Sequence, residues 1–350
     1  MSTLAGVHAV LPPHRYTQRE LTEAFSDLCL GPQDNRALLA RLHSNAGVST
    51  RHTVLPLEQY ATIKDFGEAN DLFLTHAVAL AAQALTGALD RAGIAAQDVD
   101  FVMSTTVTGV AVPSIEARVA QLVGLRPDVK RMPLFGLGCA GGAAGLSLLH
   151  DYLVGHPDQV GVLLSVELCS LTVQRDDPSI ANMVASGLFG DGAAAVVAMG
   201  ANRSAEGPRV IDSRSHLFPD SLQIMGWDVG PTGMKIVLDA RVPEIVQNYL
   251  GDDIRSLLAE HSLSVQDVGA WVCHTGGPKV IESIEAVLGL DGNPLELTWA
   301  SLAKAGNLSS ASVLHVLRDT LDQRAPAAGS AGVMMAMGPG FFSELVLLEW

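Results

Sequence analysis

Pro133-Leu-Phe-Gly-Leu-Gly-Cys-Ala-Gly-Gly-Ala-Ala-Gly145 reads as a strand end, a glycine-lined turn and a helix that begins at the sulfur of Cys139. A thiol at a helix N-terminus feels the positive end of the macrodipole and free backbone N–H groups, which lowers its pKa and favours a nucleophile. Gly138, Gly141 and Gly142 let a second backbone or a substrate come close to that sulfur. By itself, a cysteine in an apolar segment is more often a buried structural residue than a reactive one. A second copy of the same turn, later in the chain, changes that balance.

Gln97-Asp98-Val99 leads into a strand-like Asp100-Phe-Val-Met103 and then Thr105, after which Ser114-Ile115-Glu116 opens a helix ending in Val123-Gly124-Leu125. Gln266-Asp267-Val268 leads into Gly269-Ala-Trp-Val272 and then His274, with Ser283-Ile284-Glu285 in the next helix and Leu288-Gly289-Leu290 at its end. The offset is 169 at the first two landmarks (97 to 266, 114 to 283) and shortens by four at the helix end. In nearly the same register Gly138-Cys139 corresponds to Gly306-Asn307, 168 positions on. Solenoid repeats run to about 20–50 residues, so this period fits instead two α/β halves related by duplication.

Strands such as Gly161–Glu167, Ala193–Ala198 and Leu345–Glu349 are nearly continuous apolar runs, alternating with helical stretches at 72–92, 141–155, 243–260 and 308–321. Strands of that kind are buried on both faces, which predicts an α/β fold with sheets sandwiched by helices. The polar stretch Gly200–Pro208 is the expected seam, dividing the 350 residues into halves 1–205 and 206–350, and a second loop is expected at Arg324–Gly332.

A net charge of −15 opposes nucleic acid and anionic membranes as partners, since both require a basic face. The start of the chain lacks a basic region followed by an apolar run, and no stretch reaches 18 uninterrupted apolar residues, so a soluble cytoplasmic protein is expected. Cys29, Cys139, Cys169 and Cys273 show no paired spacing, against a disulfide framework or a zinc site. An anionic substrate would need a local basic mouth, for which Arg51 and Lys279 are the candidates, with ordinary solvated side chains as the alternative.

Gly136, Gly138 and Gly141 match a Gly-x-Gly-x-x-Gly nucleotide fingerprint, but the acid that should follow about 20 positions on is absent; Glu167 lies too far along. His274 ends an apolar strand directly before Thr275-Gly-Gly-Pro278, a place from which side chains face ligands in α/β folds. Together with Cys139 and Asn307 in Gly306-Asn-Leu-Ser-Ser-Ala-Ser312, it resembles the triplet of type III polyketide synthases of the chalcone synthase superfamily. Leu188-Phe-Gly-Asp-Gly-Ala193 and Met337-Gly-Pro-Gly-Phe341 match that family too. The similarity is ordered from about Gly6 to Trp350, and phrases such as Ser165-Val-Glu-Leu-Cys-Ser-Leu171 are most similar to actinobacterial members that make alkylpyrones from long acyl-CoA starters.

The resemblance implies a homodimer with a thiolase-like αβαβα core, no bound cofactor or carrier protein, and acyl-CoA and malonyl-CoA as substrates. It implies Cys139 as nucleophile and acyl carrier, His274 as its imidazolium partner, and His274 with Asn307 as donors to the enolate oxygen formed on decarboxylation. Phe189 corresponds to an aromatic that keeps the decarboxylation site apolar, and Ser309 is expected to position water or the helix turn. Cys169, Val107, Val112, Met234, Ile236 and Met337 fall at or near pocket positions. Aliphatic walls there fit a medium- or long-chain acyl starter, extended by malonyl- or methylmalonyl-CoA, with pyrone or resorcinol closure left open. A carrier-protein-dependent ketoacyl synthase, a non-catalytic acyl-binding scaffold and a nucleotide-dependent oxidoreductase are the rival readings.

Overall fold

A computed structural model describes residues 1–175 and 177–350. Its main sheet has nine strands. Five belong to the first half, in the spatial order Lys130–Leu134, Phe101–Thr105, Val160–Leu168, Asp191–Gly200 and Ser2–Val10. The other four continue as Arg209–Leu217, Phe342–Glu349, Ala331–Gly338 and Val268–Cys273. Among the described residues the two sets pair at Ser2 opposite Val210 and Thr3 opposite Arg209, at one end of their edge strands.

The strand directions bear out the duplication. In the first half Phe101–Thr105 runs parallel to Val160–Leu168, which is antiparallel to Asp191–Gly200, itself antiparallel to Ser2–Val10. The second half repeats that order with Val268–Cys273, Ala331–Gly338, Phe342–Glu349 and Arg209–Leu217. Lys130–Leu134 is the extra strand, paired on one side only and largely exposed.

Three apolar clusters define five layers. The helix Phe66–Ala92 packs on the outer face of the first sheet through Phe73, Ala77, Leu80, Ala84, Leu85 and Ala88, spaced at three and four residues. Asp65 caps its start by accepting from the Glu68 N–H at 3.0 Å, and Gly93 ends it in the left-handed conformation at φ 63°. By length and composition this helix could cross a bilayer, but its apolar stripe belongs to the core. The central layer is Gly141–Gly155 and Ser312–Gln323, whose Leu146, Leu149, Val313 and Leu317 are fully buried between both sheets. On the far side, Val242–Glu260, with a π-turn at Val246–Leu250, and Pro278–Leu288 cover the second sheet. This is the expected αβαβα arrangement, and strands with helices on both faces have no polar side to alternate. The predicted seam links Asp191–Gly200 to Arg209–Leu217, and the Arg324 loop joins Ser312–Gln323 to Ala331–Gly338.

The repeat register differs in detail from the letter match. Ser114 precedes its helix Ile115–Val123, whereas Ser283 lies inside Pro278–Leu288, which starts earlier because proline presets the first helical φ. The two central helices are each entered through a 3₁₀ turn, Gly138–Ala140 and Ser309–Ala311, and both turns and helices are offset by 171 (138 to 309, 141 to 312). The structural counterpart of Cys139 is therefore Ser310, and Asn307 stands three residues upstream of it.

Candidate active site

The space over the glycines of the nucleophile turn is filled by both halves. Gly138 has φ +52°, and a Cβ on it would stand 2.3 Å from Pro339 Cδ. A Cβ on Gly141 would stand 2.5 Å from Thr105 Oγ1, and one on Gly142 2.3 Å from the Ser310 carbonyl. Protein atoms thus fill the approach to Gly138 and Gly141, where the nucleotide fingerprint would need a pyrophosphate. Cys139 is 6% exposed, and its thiol donates to Ser309 Oγ at 3.8 Å.

Asn307 is fixed at both ends. Its N–H donates to the Leu188 carbonyl and its carbonyl accepts from the Gly190 N–H, each at 2.9 Å, a lone bridge that sets it beside Phe189. Its Oδ1 accepts from the Ser309 N–H at 2.8 Å and from Ser312 Oγ at 3.4 Å. With the oxygen held, the amide NH₂ is the end presented to Cys139, where it favours the thiolate. Ser309 carries φ +47°, a conformation a non-glycine residue holds at a cost of about 1–2 kcal/mol. That strain places its hydroxyl against the sulfur and its N–H on Asn307, so Ser309 positions the nucleophile as well as the turn.

His274 leaves the end of Val268–Cys273 with its N–H on the Met335 carbonyl at 3.0 Å. The next residue, Thr275, donates from Oγ1 to the Gly306 carbonyl at 3.3 Å and so ties the histidine segment to the residue before Asn307. His274 is 5% exposed, and its Nδ1 is buried without a hydrogen-bond partner.

Burial governs the charges. It pushes the Cys139 thiol up to about 12, against opposing hydrogen bonds from Ser309 and Asn307, and nearby Glu167 adds to the rise. This is the reverse of the direction expected from a helix terminus alone, because loss of solvent outweighs the dipole. Burial also pushes His274 down to about 3. Burial thus disfavours the charged form of each group.

A cavity leaving about 20 Å³ free lies beside Phe189, the residue bridged to Asn307, and is walled by Phe25, Arg51, Cys169, Phe189, Trp227 and Ile236. Phe189, Cys169 and Ile236 thus line a pocket as expected. Met234 lines a neighbouring cavity with Phe66, Asn70, Thr108 and Gly233. Val107 is buried and donates its N–H to Glu167 at 3.1 Å, and Met337 is 5% exposed in the core of the second half. Two expectations fail. Val112 is 89% exposed on the loop before its helix and contributes nothing to this chain's cavity. Arg51 is not at a solvent mouth; it is 2% exposed, donating to the Phe189 carbonyl at 2.6 Å and to Gln18 Oε1 at 3.2 Å. Its strand, Thr50–Thr53, pairs with His14–Thr17 in a register that turns Arg51 inward over Phe25. Lys279 is exposed on the first turn of Pro278–Leu288, beyond His274.

Two further participants escaped the sequence reading. Glu167 is fully buried behind the nucleophile, accepting from the Val107 N–H and the hydroxyls of Thr106, Thr108 and Ser310. Burial raises its pKa, with those hydrogen bonds opposing. A lone acid inside an otherwise apolar strand was the available signal. Trp227 pairs with Ile236 across the hairpin Met225–Gly230 and Gly233–Leu238, and its ring closes one side of the cavity.

Residues 1–203 match the family profile "Chalcone and stilbene synthases, N-terminal domain", and residues 210–349 match the corresponding C-terminal domain. The chain belongs to the chalcone and stilbene synthase family. A 1,3,6,8-tetrahydroxynaphthalene synthase of Streptomyces peucetius subsp. caesius is 56% identical over the whole chain and 93% of its own length. A putative chalcone synthase of Bacillus subtilis (strain 168) is 32% identical, over 100% of this chain and 99% of its own. Among solved structures, the 1,3,6,8-tetrahydroxynaphthalene synthase of Streptomyces coelicolor A3(2), a bacterial type III polyketide synthase, superposes with a TM-score of 0.93, covers 99% of both chains and is 30% identical. This chalcone synthase-like chain is therefore a type III polyketide synthase with the thiolase-like fold, and an acyltransferase.

Proposed function

We propose that malonyl-CoA serves as both starter and extender, and that the product is a fused-ring polyphenol of the tetrahydroxynaphthalene type. The observation that carries this is the 56% identity to a tetrahydroxynaphthalene synthase along the whole chain. Cys169, Trp227 and Ile236 wall a cavity of about 20 Å³, room for about one water molecule. An alkylpyrone or alkylresorcinol from a long acyl starter is the reading this proposal replaces. Tetrahydroxynaphthalene has ten carbons, the number left when five malonyl units each lose one carboxyl group as carbon dioxide.

In this reading Cys139 Sγ attacks the starter thioester carbonyl, its proton passes to His274, and CoA leaves as the thiol on taking that proton. An extender malonyl-CoA then loses carbon dioxide beside Phe189. The electron pair of the broken bond forms an enolate whose oxygen accepts hydrogen bonds from His274 and the Asn307 NH₂. The enolate carbon attacks the Cys139 thioester, the thiolate departs, and the lengthened chain, now on CoA, reloads the sulfur. Glu167 and Ser309 hold the turn that aims the sulfur. Lys279, exposed past His274, is the remaining basic contact for CoA phosphates. No bound cofactor takes part in these steps.

A homodimer belongs to the same reading. The one-sided edge strand Lys130–Leu134 carries exposed Met132, and Phe135, Leu148 and Val112 add apolar surface; light scattering on the purified chain should return twice the 36.7 kDa protomer mass. The enzymatic test is mass spectrometry of products from malonyl-CoA alone, compared with a panel of acyl-CoA starters and with methylmalonyl-CoA. A ten-carbon tetrahydroxy product, lost in Cys139→Ala, is expected. Strict dependence on acyl carrier protein would establish a ketoacyl synthase, and absence of CoA release from any thioester a binding scaffold.

A further inference from the structure

Ser221 is 1% exposed, and its hydroxyl joins two separate stretches of backbone. It donates to the Phe218 carbonyl at 2.6 Å and accepts from the Phe341 N–H at 2.8 Å, with the Gly340 and Phe341 carbonyls each 3.2 Å away. A hydroxyl has one hydrogen to give, so the shortest contact takes it and the Phe341 N–H fills a lone pair. Asp220, directly before it, holds φ +52°, a left-handed conformation that persists where its surroundings fix it. The Phe341 carbonyl is held in turn by the Phe218 N–H at 2.9 Å. The turn secured in this way, 339–341, lies against the nucleophile. A Cβ on Gly138 would collide with the Pro339 ring, and one on Gly338 would collide with the Leu137 carbonyl and stand 2.8 Å from Ala140 Cβ. Residues 338 and 339 therefore touch the chain on both sides of Cys139.

We propose that Ser221 is a positioning residue for acyl transfer: by pinning the Phe341 backbone it seats Pro339 on Gly138 and fixes the depth and direction of the Cys139 sulfur. The inference rests on Cys139 as the acyl carrier and is independent of which starter it carries. The nucleophile turn is short of side chains that could hold it. Gly136, Gly138, Gly141 and Gly142 leave its backbone many alternatives, and Gly138 sits at φ +52°, one state among several open to a glycine. A proline ring packed on Gly138 removes those alternatives, and the ring is only as fixed as the turn that carries it. Displacing reacting atoms by about 1 Å costs about 100-fold in rate, so the bond from one distant hydroxyl reaches the chemistry through backbone placement alone. Ser309 restrains the sulfur by direct contact, and Ser221 restrains the turn beneath it.

The test compares the full-length protein with Ser221→Ala, Ser221→Thr and Thr320→Val. The last removes a different buried hydroxyl, which donates to the Val316 carbonyl at 2.8 Å near the end of Ser312–Gln323. CoA release from malonyl-CoA gives kcat and KM, and iodoacetamide labelling of Cys139 is followed by peptide mass spectrometry. Ser221→Ala should lower kcat about 30- to 100-fold and leave KM within about twofold. It should also label Cys139 about tenfold faster, because a loosened turn opens locally to solvent and reagent. A slower enzyme with a more accessible sulfur is the signature of lost positioning. Ser221→Thr, which keeps the hydroxyl, should recover most of kcat, and Thr320→Val should resemble the parent in both readouts. A Ser221→Ala protein that melts earlier but keeps parental kcat and labelling would show a hydroxyl that only closes a loop, and the proposal would be overturned. Should Ser221→Ala not fold, Pro339→Ala removes the same ring contact from the other side. Parental turnover and labelling in that variant would overturn the proposal equally. CoA release that persists in Cys139→Ala would instead overturn the acyl-carrier reading on which it rests.

Discussion

Replacing Trp227 by alanine should convert the enzyme toward long starters. The indole closes a cavity with about 20 Å³ free and faces Ile236 across a two-stranded hairpin. A tryptophan covers about 150–250 Å² of apolar contact, so its removal opens room for several methylenes. Each methylene transferred from water is worth about 0.8 kcal/mol. The four that distinguish hexanoyl from acetyl therefore sum to about 3 kcal/mol, on the order of 200-fold in relative kcat/KM. Because Trp227 is half-buried and belongs to a peripheral hairpin, the stability cost should be about 1–2 kcal/mol, below the 3–5 of a fully buried aromatic. The assay is competition between acetyl-CoA and hexanoyl-CoA as starters, with product masses giving the ratio and a melting curve confirming a folded variant. A folded Trp227→Ala whose hexanoyl preference moves less than threefold would refute the argument that this ring limits the starter.

Asn307→Ala should lower turnover about 100- to 1000-fold, or about 3–4 kcal/mol, by removing one enolate donor. Acylation of Cys139 should survive, so intact-mass spectra should show a loaded enzyme that releases little carbon dioxide. Stability should fall in acid. Burial depresses His43 from 6.5 to about 4, and His274 and His315 from 6.5 to about 3. Each folded-state pKa lies below its unfolded value, so between the two the unfolded chain binds more protons. The contribution is whole above pH 6.5 and is lost as pH drops toward 4 and 3, with His43 alone accounting for about 3 kcal/mol. Urea midpoints should decline steeply from pH 7 to pH 4.5, and His43→Gln should shallow that decline; an identical slope would assign the acid sensitivity elsewhere.

Cys139, His274 and Asn307 were legible because each sits in a short local signal: glycines around a sulfur, a polar residue ending an apolar strand, an asparagine before a helix. Phe189 came from the family resemblance, and its bridge to Asn307 sets the two side by side. Arg51 was misplaced because side-chain direction in a four-residue strand is set by its partner, His14–Thr17, thirty-odd positions away. Val112 failed similarly, since a loop residue's exposure depends on what the rest of the chain leaves uncovered. Phe25 and Trp227, which wall the cavity beside Phe189, come from elements with no local mark of a site. The thiol's pKa went the wrong way because sequence displays the helix terminus but not the depth at which it is buried.

Ser2–Val10 precedes the other strands of the sheet in the chain, yet its neighbours are Asp191–Gly200 and, at one end, Arg209–Val210. About 180 further residues must be made before this apolar segment finds either ladder. Pairing across so long a separation folds slowly and leaves a sticky edge open meanwhile. Nascent chains halted before residue 191 should therefore be held by chaperones or precipitate, and soluble yield should track translation speed in the first half. A soluble, compact fragment ending before that point would contradict this dependence.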